Sequence, residues 1–212
     1  MTGDEAYNWL ICAGGASDCD PFDIHVAASV LALALSEAPS TGASSNNPVG
    51  EGTGLSEAEY SMLADRMFPA IAAGLRGMYK GGEPQIDDEE QSVRDILMMY
   101  ASGVAGLEKI FTAMIARRCK QPHHLWQDLG LRERGELSRL MERHFTRLSA
   151  RNHEDMKWKK FLYRMVCGSE GFTLCTTPVC SDCNDFEVCF GDESGPSRLA
   201  RIGNPEENGL PA

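Results

Sequence analysis

Apolar residues recur at helical spacing along most of the chain. The clearest stripe consists of Leu137, Leu140, Met141, His144, Phe145 and Leu148. A second stripe consists of Trp158, Phe161, Leu162, Met165 and Val166. Steps of three and four residues return to one face of an α-helix. No alternating strand pattern of comparable strength is present, so the sequence predicts a mostly α fold, a helical bundle.

Local signals indicate where several of these helices begin and end. Asp20 is suited to cap a helix that starts at Pro21 and contains the apolar run Ile24–Leu35. The tetrapeptide Ser56-Glu57-Ala58-Glu59 matches a capping box, and Pro69 predicts a kink or break in the helix that follows. Helical patterns resume at 88–102 and 107–119.

Composition divides the chain into five parts. We expect an N-terminal helical segment at 1–38, a flexible linker at 39–54, a helical body at 55–168, a cysteine-containing cluster loop at 169–191 and a disordered tail at 192–212. The linker and the tail are assigned because they are rich in Gly, Ser, Asn and Pro and poor in large apolar side chains. Such segments bury too little apolar surface to offset the entropy of ordering.

Charge is unevenly distributed along the chain. The 212 residues have a net charge of −11, yet 109–164 contains 14 basic and 6 acidic residues and is positive by 8. The overall acidity disfavours nucleic acid and anionic membranes as partners. Since the N-terminus is acidic and no apolar run reaches the ~20 residues that span a bilayer, we expect a cytoplasmic protein.

Common catalytic motifs are absent from the sequence. It contains no His-Glu-x-x-His, no Gly-x-Ser-x-Gly, no Gly-Lys pair of a phosphate-binding loop and no Glu-x-x-His pair typical of di-iron bundles. We therefore expect a protein that is not an enzyme.

Four of the eight cysteines are clustered near the C-terminus. Cys175, Cys180, Cys183 and Cys189 have the spacing C-x4-C-x2-C-x5-C. Four thiolates in one loop can surround an iron–sulfur cluster or a zinc ion, and zinc motifs more often consist of two separated C-x2-C pairs. The spacing favours iron–sulfur chemistry, with zinc and free thiols or disulfides as the alternatives.

Two further residues are candidate auxiliary ligands. Cys167 precedes the first clustered cysteine by eight residues, and His153 precedes two acidic residues where a helix is expected to begin. His144 lies on an apolar stripe instead, so we expect it to be a hydrogen-bonded core residue.

The region that contains the cysteines resembles the NifQ family of nitrogen-fixation proteins. The resemblance is carried by 124–131 (HLWQDLGL), 136–141 (ELSRLM), His144-Phe145, Arg151-Asn152, 155–164 (DMKWKKFLYR) and the cysteine loop through Cys189-Phe190-Gly191. It is nearly continuous from Cys119 to Gly191 and weaker around Asp23, His25 and Val26.

The resemblance implies a role in building the iron–molybdenum cofactor of nitrogenase. It implies that Cys175, Cys180, Cys183 and Cys189 hold an iron–sulfur cluster of 3Fe–4S or 4Fe–4S type with molybdenum. It also implies that molybdenum passes to the cofactor-assembly scaffold complex and that the nitrogenase iron protein takes part. The alternatives are a ferredoxin-like electron carrier and a zinc-stabilised interaction or regulatory protein.

Basic residues precede the cysteine loop, which is itself acidic. Lys157, Lys159, Lys160 and Arg164 would offset the repulsion between molybdate and the acids of the loop if their helix packs beside it.

Overall fold

The structure is a computed structural model, and it describes residues 1–37, 47–103, 106–169 and 186–199. These residues form helices, turns and no strand. The mostly α fold expected from the periodicity is therefore confirmed.

Two helices form the N-terminal segment. Helix α1 spans Gly3–Ala13, and helix α2 spans Pro21–Glu37. The backbone N–H of Phe22 donates a 2.8 Å hydrogen bond to the carboxylate of Asp20, which confirms Asp20 as the residue that begins α2. Helix α2 is buried over most of its length and packs against α1.

The segment predicted to be a linker is partly helical, which corrects that prediction for residues 47–54. Helix α3 spans Pro48–Thr53, and the amide N–H of Gly50 donates to the Asn47 side chain at 3.0 Å. Gly54 ends the helix in the left-handed conformation that glycine adopts readily. A β-carbon at Gly52 would lie 2.7 Å from that of Ala34, so glycine here permits close packing on α2. The rest of the predicted linker, 39–46, lies outside the described residues.

The middle of the chain follows the predicted start and break signals. Its elements are helix α4 at Glu57–Met67, a 3₁₀ turn at Pro69–Ile71, helix α5 at Ala72–Arg76, helix α6 at Asp88–Met99 and helix α7 at Glu108–Cys119. Ser56 and Glu59 form the predicted capping box, and the 3₁₀ turn at Pro69 separates α4 from α5.

Helix α7 lies at the centre of the bundle. All but one of its residues are buried, and α3, α4 and α6 pack against it. Its two buried arginines are neutralised internally: Arg117 pairs with the fully buried Glu90 at 3.0 Å, and Arg118 pairs with Glu37 of α2 at 2.7 Å. A buried charge without such a partner would be strongly destabilising, so these pairs are a condition for the central position of α7.

The described part of the C-terminal half contains five further helices. They are α8 at Leu125–Asp128, α9 at Arg134–His144, α10 at Thr146–Ser149, α11 at Trp158–Ser169 and α12 at Phe186–Phe190. The stripe from Leu137 to Leu148 is divided between α9 and α10, because Phe145 between them leaves the helical conformation (φ −135°, ψ 47°). Phe145 itself is fully buried, so the break keeps the stripe facing the core.

His144 is a core residue, as the apolar stripe predicted. It is fully buried, and its Nε2 lies 2.9 Å from Oδ1 of Asp23, which also accepts a hydrogen bond from Nε of Arg143 at 3.0 Å. Asp23 belongs to α2 and the other two residues to α9. The buried ionic cluster therefore joins the N-terminal helices to the C-terminal half.

The predicted disordered tail is ordered between 192 and 199, which corrects that part of the prediction. Arg198 forms ion pairs with Glu37 at 2.8 Å and with Asp128 at 3.0 Å, and Leu199 is buried against Gly3. Composition did not predict that this segment is ordered, because its stability comes from a few long-range contacts. Residues 200–212 lie outside the described residues.

Among the described helices, none is both long enough and apolar enough to cross a bilayer.

Candidate metal centre

Of the four predicted cysteine ligands, the structure describes one. Cys189 lies in α12 and is half-buried. Cys175, Cys180 and Cys183 lie outside the described residues. The geometry of the site is therefore defined by Cys189 and by the residues that hold it in place.

Cys189 is held by the residue that precedes α11. The backbone N–H of Lys157 donates to the carbonyl oxygen of Cys189 at 2.8 Å, and Nζ of Lys157 donates to the carbonyl oxygen of Glu187 at 3.0 Å. The rings of Phe186 and Phe190 stack on one side of α12, with centroids 4.8 Å apart. One lysine thus fixes two carbonyl groups of the five-residue helix that carries the cysteine.

Gly191 ends α12 and leaves no room for a side chain. Its N–H donates to the carbonyl oxygen of Glu187 at 2.9 Å, and a β-carbon at this position would lie 2.4 Å from the same oxygen. That distance is far below van der Waals contact. Glycine is therefore required directly after Cys189-Phe190 for this helix end to form.

The chain beyond Gly191 is anchored to the helical body through Glu193. The indole Nε1 of Trp126 donates to the backbone carbonyl of Glu193 at 3.1 Å, and the Glu193 carboxylate contacts Nδ1 of His124 at 3.1 Å and Nε of Arg134. Gln127 donates to the carbonyl oxygen of Pro196 at 3.0 Å. The predicted cluster loop therefore begins after α11 and ends before α12, and the chain that follows α12 is anchored to the helical body.

The two auxiliary candidates lie in different surroundings from Cys189. Cys167 is half-buried in the last turns of α11, while Lys157, which holds Cys189, precedes the first turn. His153 is exposed in the turn between α10 and α11, not at a helix start, and lines a cleft with Tyr100 and Met165. The structure brings neither residue together with Cys189.

The other cysteines of the described residues differ in accessibility. Cys12 is exposed and Cys19 is half-buried, whereas Cys119 is buried at the end of α7. Burial raises the pKa of the Cys119 thiol to about 12. At neutral pH this thiol stays protonated and unsuited to bind a metal.

No group of three His, Cys, Asp or Glu side chains in the described residues is arranged to hold a metal. The donor chemistry still fits a cluster: Cys189 is a soft ligand that is partly accessible and held at its backbone. Its three partners in the sequence motif would supply the remaining thiolates. The structure thus describes one of the four predicted ligands.

The basic residues before the loop have distinct roles. Lys159 is directed inward, since its Nζ contacts the Asp128 carboxylate and the carbonyl oxygens of Gln121 and His123. Lys157 contacts α12, and Lys160 is exposed. The charge of Lys159 is therefore paired with Asp128. The expectation that these residues offset the acids of the loop depends on a loop that lies outside the described residues.

Sequence reasoning missed the contacts that hold the site. Trp126 and Glu193 are separated by 67 positions, and Lys157 and Glu187 by 30. No local pattern reveals such pairs. The only signal was that the resemblance includes Trp126, Lys157 and Gly191, all of which contact the chain that follows the cysteine loop or belong to it.

Comparison with known proteins identifies the family to which this chain is similar. The NifQ family model matches residues 26–191. The chain is 39% identical over 176 residues to the protein NifQ homolog of Sinorhizobium fredii (strain NBRC 101917 / NGR234), a match that covers 83% of this chain and 75% of the relative. It is 32% identical to protein NifQ of Rhodobacter capsulatus over 79% of this chain and 92% of the relative. Protein NifQ of Azotobacter vinelandii is 33% identical over 66% of this chain and 77% of its own length. No solved structure matches at a comparable level of significance. The chain belongs to the NifQ family.

Proposed function

We propose that this protein binds an iron–sulfur cluster through Cys175, Cys180, Cys183 and Cys189 and donates molybdenum from that cluster. As a member of the NifQ family it takes part in the biosynthesis of the iron–molybdenum cofactor of nitrogenase. In this proposal the metal cluster is a cargo that is loaded, held and handed on. The protein acts as a metal donor, not as an enzyme.

The observation that carries the proposal is the cysteine motif together with the position of its last member. The motif C-x4-C-x2-C-x5-C lies entirely within the residues that match the family. Cys189 is half-buried, and its backbone carbonyl is held by Lys157. A ligand fixed in this way supports a defined metal site, since its position is set before the metal binds.

Sulfur ligands suit molybdenum bound together with iron. Thiolate and sulfide are soft ligands, and a cluster with three irons has one open corner where a further metal can bind. Four cysteines also exceed what three irons require, so one thiolate is available for loading or release. This gives a physical basis for a cluster that holds molybdenum reversibly.

The proposed recipient is the scaffold complex on which the nitrogenase cofactor is assembled, and the nitrogenase iron protein takes part in the transfer. The proposed location is the cytoplasm, where a reducing environment keeps thiols available for metals. Molybdate is the proposed source of the molybdenum.

Metal analysis of the full chain purified without oxygen tests the proposal. We expect iron, acid-labile sulfide and molybdenum, a brown colour, and an EPR signal from the cluster. Molybdenum should leave the protein when the scaffold complex and the iron protein are added. Stoichiometric zinc without iron would contradict the proposal. A cluster that carries electrons but never releases molybdenum would identify an electron carrier instead.

A cysteine substitution with a matched control locates the site. Cys183→Ser should abolish cluster loading, because a serine hydroxyl is a poor ligand for iron. Cys12→Ser changes an exposed free cysteine on α1 and should leave iron and sulfide content unchanged. Full loading of the Cys183→Ser protein would refute the assignment of the loop.

A further inference from the structure

A basic cleft lies beside the helix that carries Cys189. It has a volume of about 370 Å³ and is formed by the chain that leads into α8, the start of α11 and one residue of α12. Its charged and imidazole side chains on the first two elements are His123, His124, Lys157, Lys159 and Lys160. Val188, the neighbour of Cys189, lines the other edge. The cleft is thus contiguous with the proposed metal site.

The carboxylates nearest to the cleft are already paired. Asp128 is fully buried and is bound by Lys159 and by Arg198 at 3.0 Å. Glu193, the only acid among the described residues that line the cleft, is paired with Arg134 and with His124. Because these acids are neutralised within the protein, they do not cancel the charge of the remaining lysines.

Two lysines keep their positive charge at the cleft. The Nζ of Lys157 donates to a backbone carbonyl, that of Glu187, which leaves its charge without a neutralising carboxylate in this contact. Lys160 is exposed and forms no ion pair within the described part of the chain. Both charges are therefore available to a ligand in the cleft.

Both histidines are oriented by a carboxylate. Nδ1 of His123 lies 3.2 Å from Oδ1 of Asp128, and Nδ1 of His124 lies 3.1 Å from Oε1 of Glu193. This leaves Nε2 as the nitrogen of each ring that can contact a ligand. A free Nε2 would suit a metal cation. The positive charges of Lys157 and Lys160 oppose a cation and favour an anion.

We propose that this cleft binds a tetrahedral oxyanion of charge −2 through Lys157, Lys160 and the Nε2 atoms of His123 and His124. The inference rests on the proposed function, for which it supplies the place where molybdate waits beside the cysteine loop. Four oxygen atoms that each accept hydrogen bonds match the two ammonium groups, and an imidazole Nε2 that carries a proton donates to the same anion. Binding here involves no change in oxidation state and breaks no covalent bond.

Oxyanion binding to the full chain tests this proposal directly. We would measure molybdate binding by equilibrium dialysis at low ionic strength and repeat the measurement with sulfate, which has the same shape and charge. Saturable binding near one anion per chain is expected. Preference for molybdate would indicate a dedicated site, whereas equal affinity would indicate a general oxyanion site; both support the cleft.

Substitutions of residues that line the cleft test where the anion binds. Lys160→Gln and His124→Gln should each raise the dissociation constant about tenfold, which corresponds to about 1.4 kcal/mol. Lys80→Gln removes an exposed lysine outside the cleft and should bind as the unchanged chain does. Unchanged affinity in the Lys160→Gln and His124→Gln double variant would overturn the proposal, as would the absence of saturable binding in the unchanged chain.

A variant that lacks the cluster separates this inference from the proposed function. Cys183→Ser, which should lack iron, should still bind the oxyanion, because none of the described residues that line the cleft is a cysteine. If the chain holds iron but no oxyanion, this inference fails and the proposed function stands. If the chain binds the oxyanion but never holds iron, the proposed function fails and the oxyanion site stands.

Discussion

The backbone N–H of Lys157 donates a 2.8 Å hydrogen bond to the carbonyl oxygen of Cys189. Lys157 directly precedes α11, so the last cysteine of the motif lies at the beginning of that helix. The cysteine loop leaves α11 at its other end, after Ser169. The two described ends of the loop are therefore separated by the length of α11, and this separation decides which residues can share a metal with Cys189.

Cys167 is expected not to be a cluster ligand. It lies ten residues after Lys157, which corresponds to about 15 Å along a helix axis at 1.5 Å per residue. Metal–sulfur bonds are only about 2.3 Å long, so Cys167 and Cys189 are too far apart to bind one small cluster. Cys167→Ser should retain full iron and sulfide content by elemental analysis, whereas Cys189→Ser should lose it. Loss of iron in the Cys167→Ser protein would show that α11 or α12 moves when the cluster binds.

Gly191→Ala is expected to displace Cys189. The added β-carbon would lie 2.4 Å from the carbonyl oxygen of Glu187, so the end of α12 must shift. Overpacking of this kind costs about 1–3 kcal/mol. We expect a lower Tm and a lower iron content per chain, measured on protein purified without oxygen.

Gly74→Ala is the matched control for Gly191→Ala. Gly74 lies within α5, and a β-carbon there would contact no atom within 4 Å. Alanine in place of glycine inside a helix stabilises by about 0.5–1 kcal/mol. Equal effects of the two substitutions would mean that the close contact at Gly191 has no consequence for the site.

Asp23→Ala is expected to be strongly destabilising. Asp23 is buried and accepts hydrogen bonds from Arg143 and His144, so its removal leaves the buried Nε2 of His144 without this partner. It also removes the more buried carboxylate partner of Arg143, which pairs with Asp20 as well. Loss of one partner from a buried ion pair costs about 3–5 kcal/mol. Urea unfolding should show this loss as a lower midpoint.

An exposed ion pair provides the comparison for Asp23. Asp65 pairs with Arg76, and both side chains are largely exposed. Asp65→Ala should change the free energy of unfolding by no more than about 1 kcal/mol. A loss as large as that of Asp23→Ala would mean that burial does not explain the difference between the two pairs.

Cys119 is expected to resist alkylation in the native protein. Its burial raises its pKa to about 12, so the reactive thiolate is scarce up to pH values near 10. Cys12 is exposed and should react readily with iodoacetamide at pH 8. Peptide mass spectrometry after brief labelling should find the modification on Cys12 and not on Cys119. Labelling of both at similar rates would indicate that the end of α7 opens easily.

Sequence periodicity was sufficient for the fold class and for most helices, because helical burial is a local pattern. It failed at α3, where Gly50, Gly52 and Gly54 were interpreted as signs of flexibility although the structure uses them for close packing and a left-handed helix end. It also failed at 192–199, where Glu193 and Arg198 form ion pairs with residues far away in sequence. Local composition contains no information about such partners.

The candidate site, like the fold, could be predicted from the sequence only where it depends on local patterns. The spacing of four cysteines is a local property and is readable from the sequence alone. The contact between Lys157 and Cys189, and the pairing of His124 with Glu193, depend on the order in which helices pack. The sequence therefore predicts a ligand set, but it does not predict the basic cleft.

Asp87 is expected to stabilise the protein at neutral pH and to lose this effect in acid. Its carboxylate caps α6 through the N–H of Glu90 and pairs with Lys120, and these contacts hold its pKa below the ordinary value of 3.8, chiefly through the lysine. A lowered pKa means stabilisation that is complete above the ordinary value and is lost as the pH falls through the folded one. Asp87→Ala should thus lower Tm by a few degrees at pH 7, and the difference from the unchanged chain should shrink below pH 4. Asp88→Ala, which removes a neighbouring exposed carboxylate that does not cap the helix, should have a smaller effect at pH 7. A difference in Tm for Asp87→Ala that persists at pH 2.5 would assign its role to something other than charge.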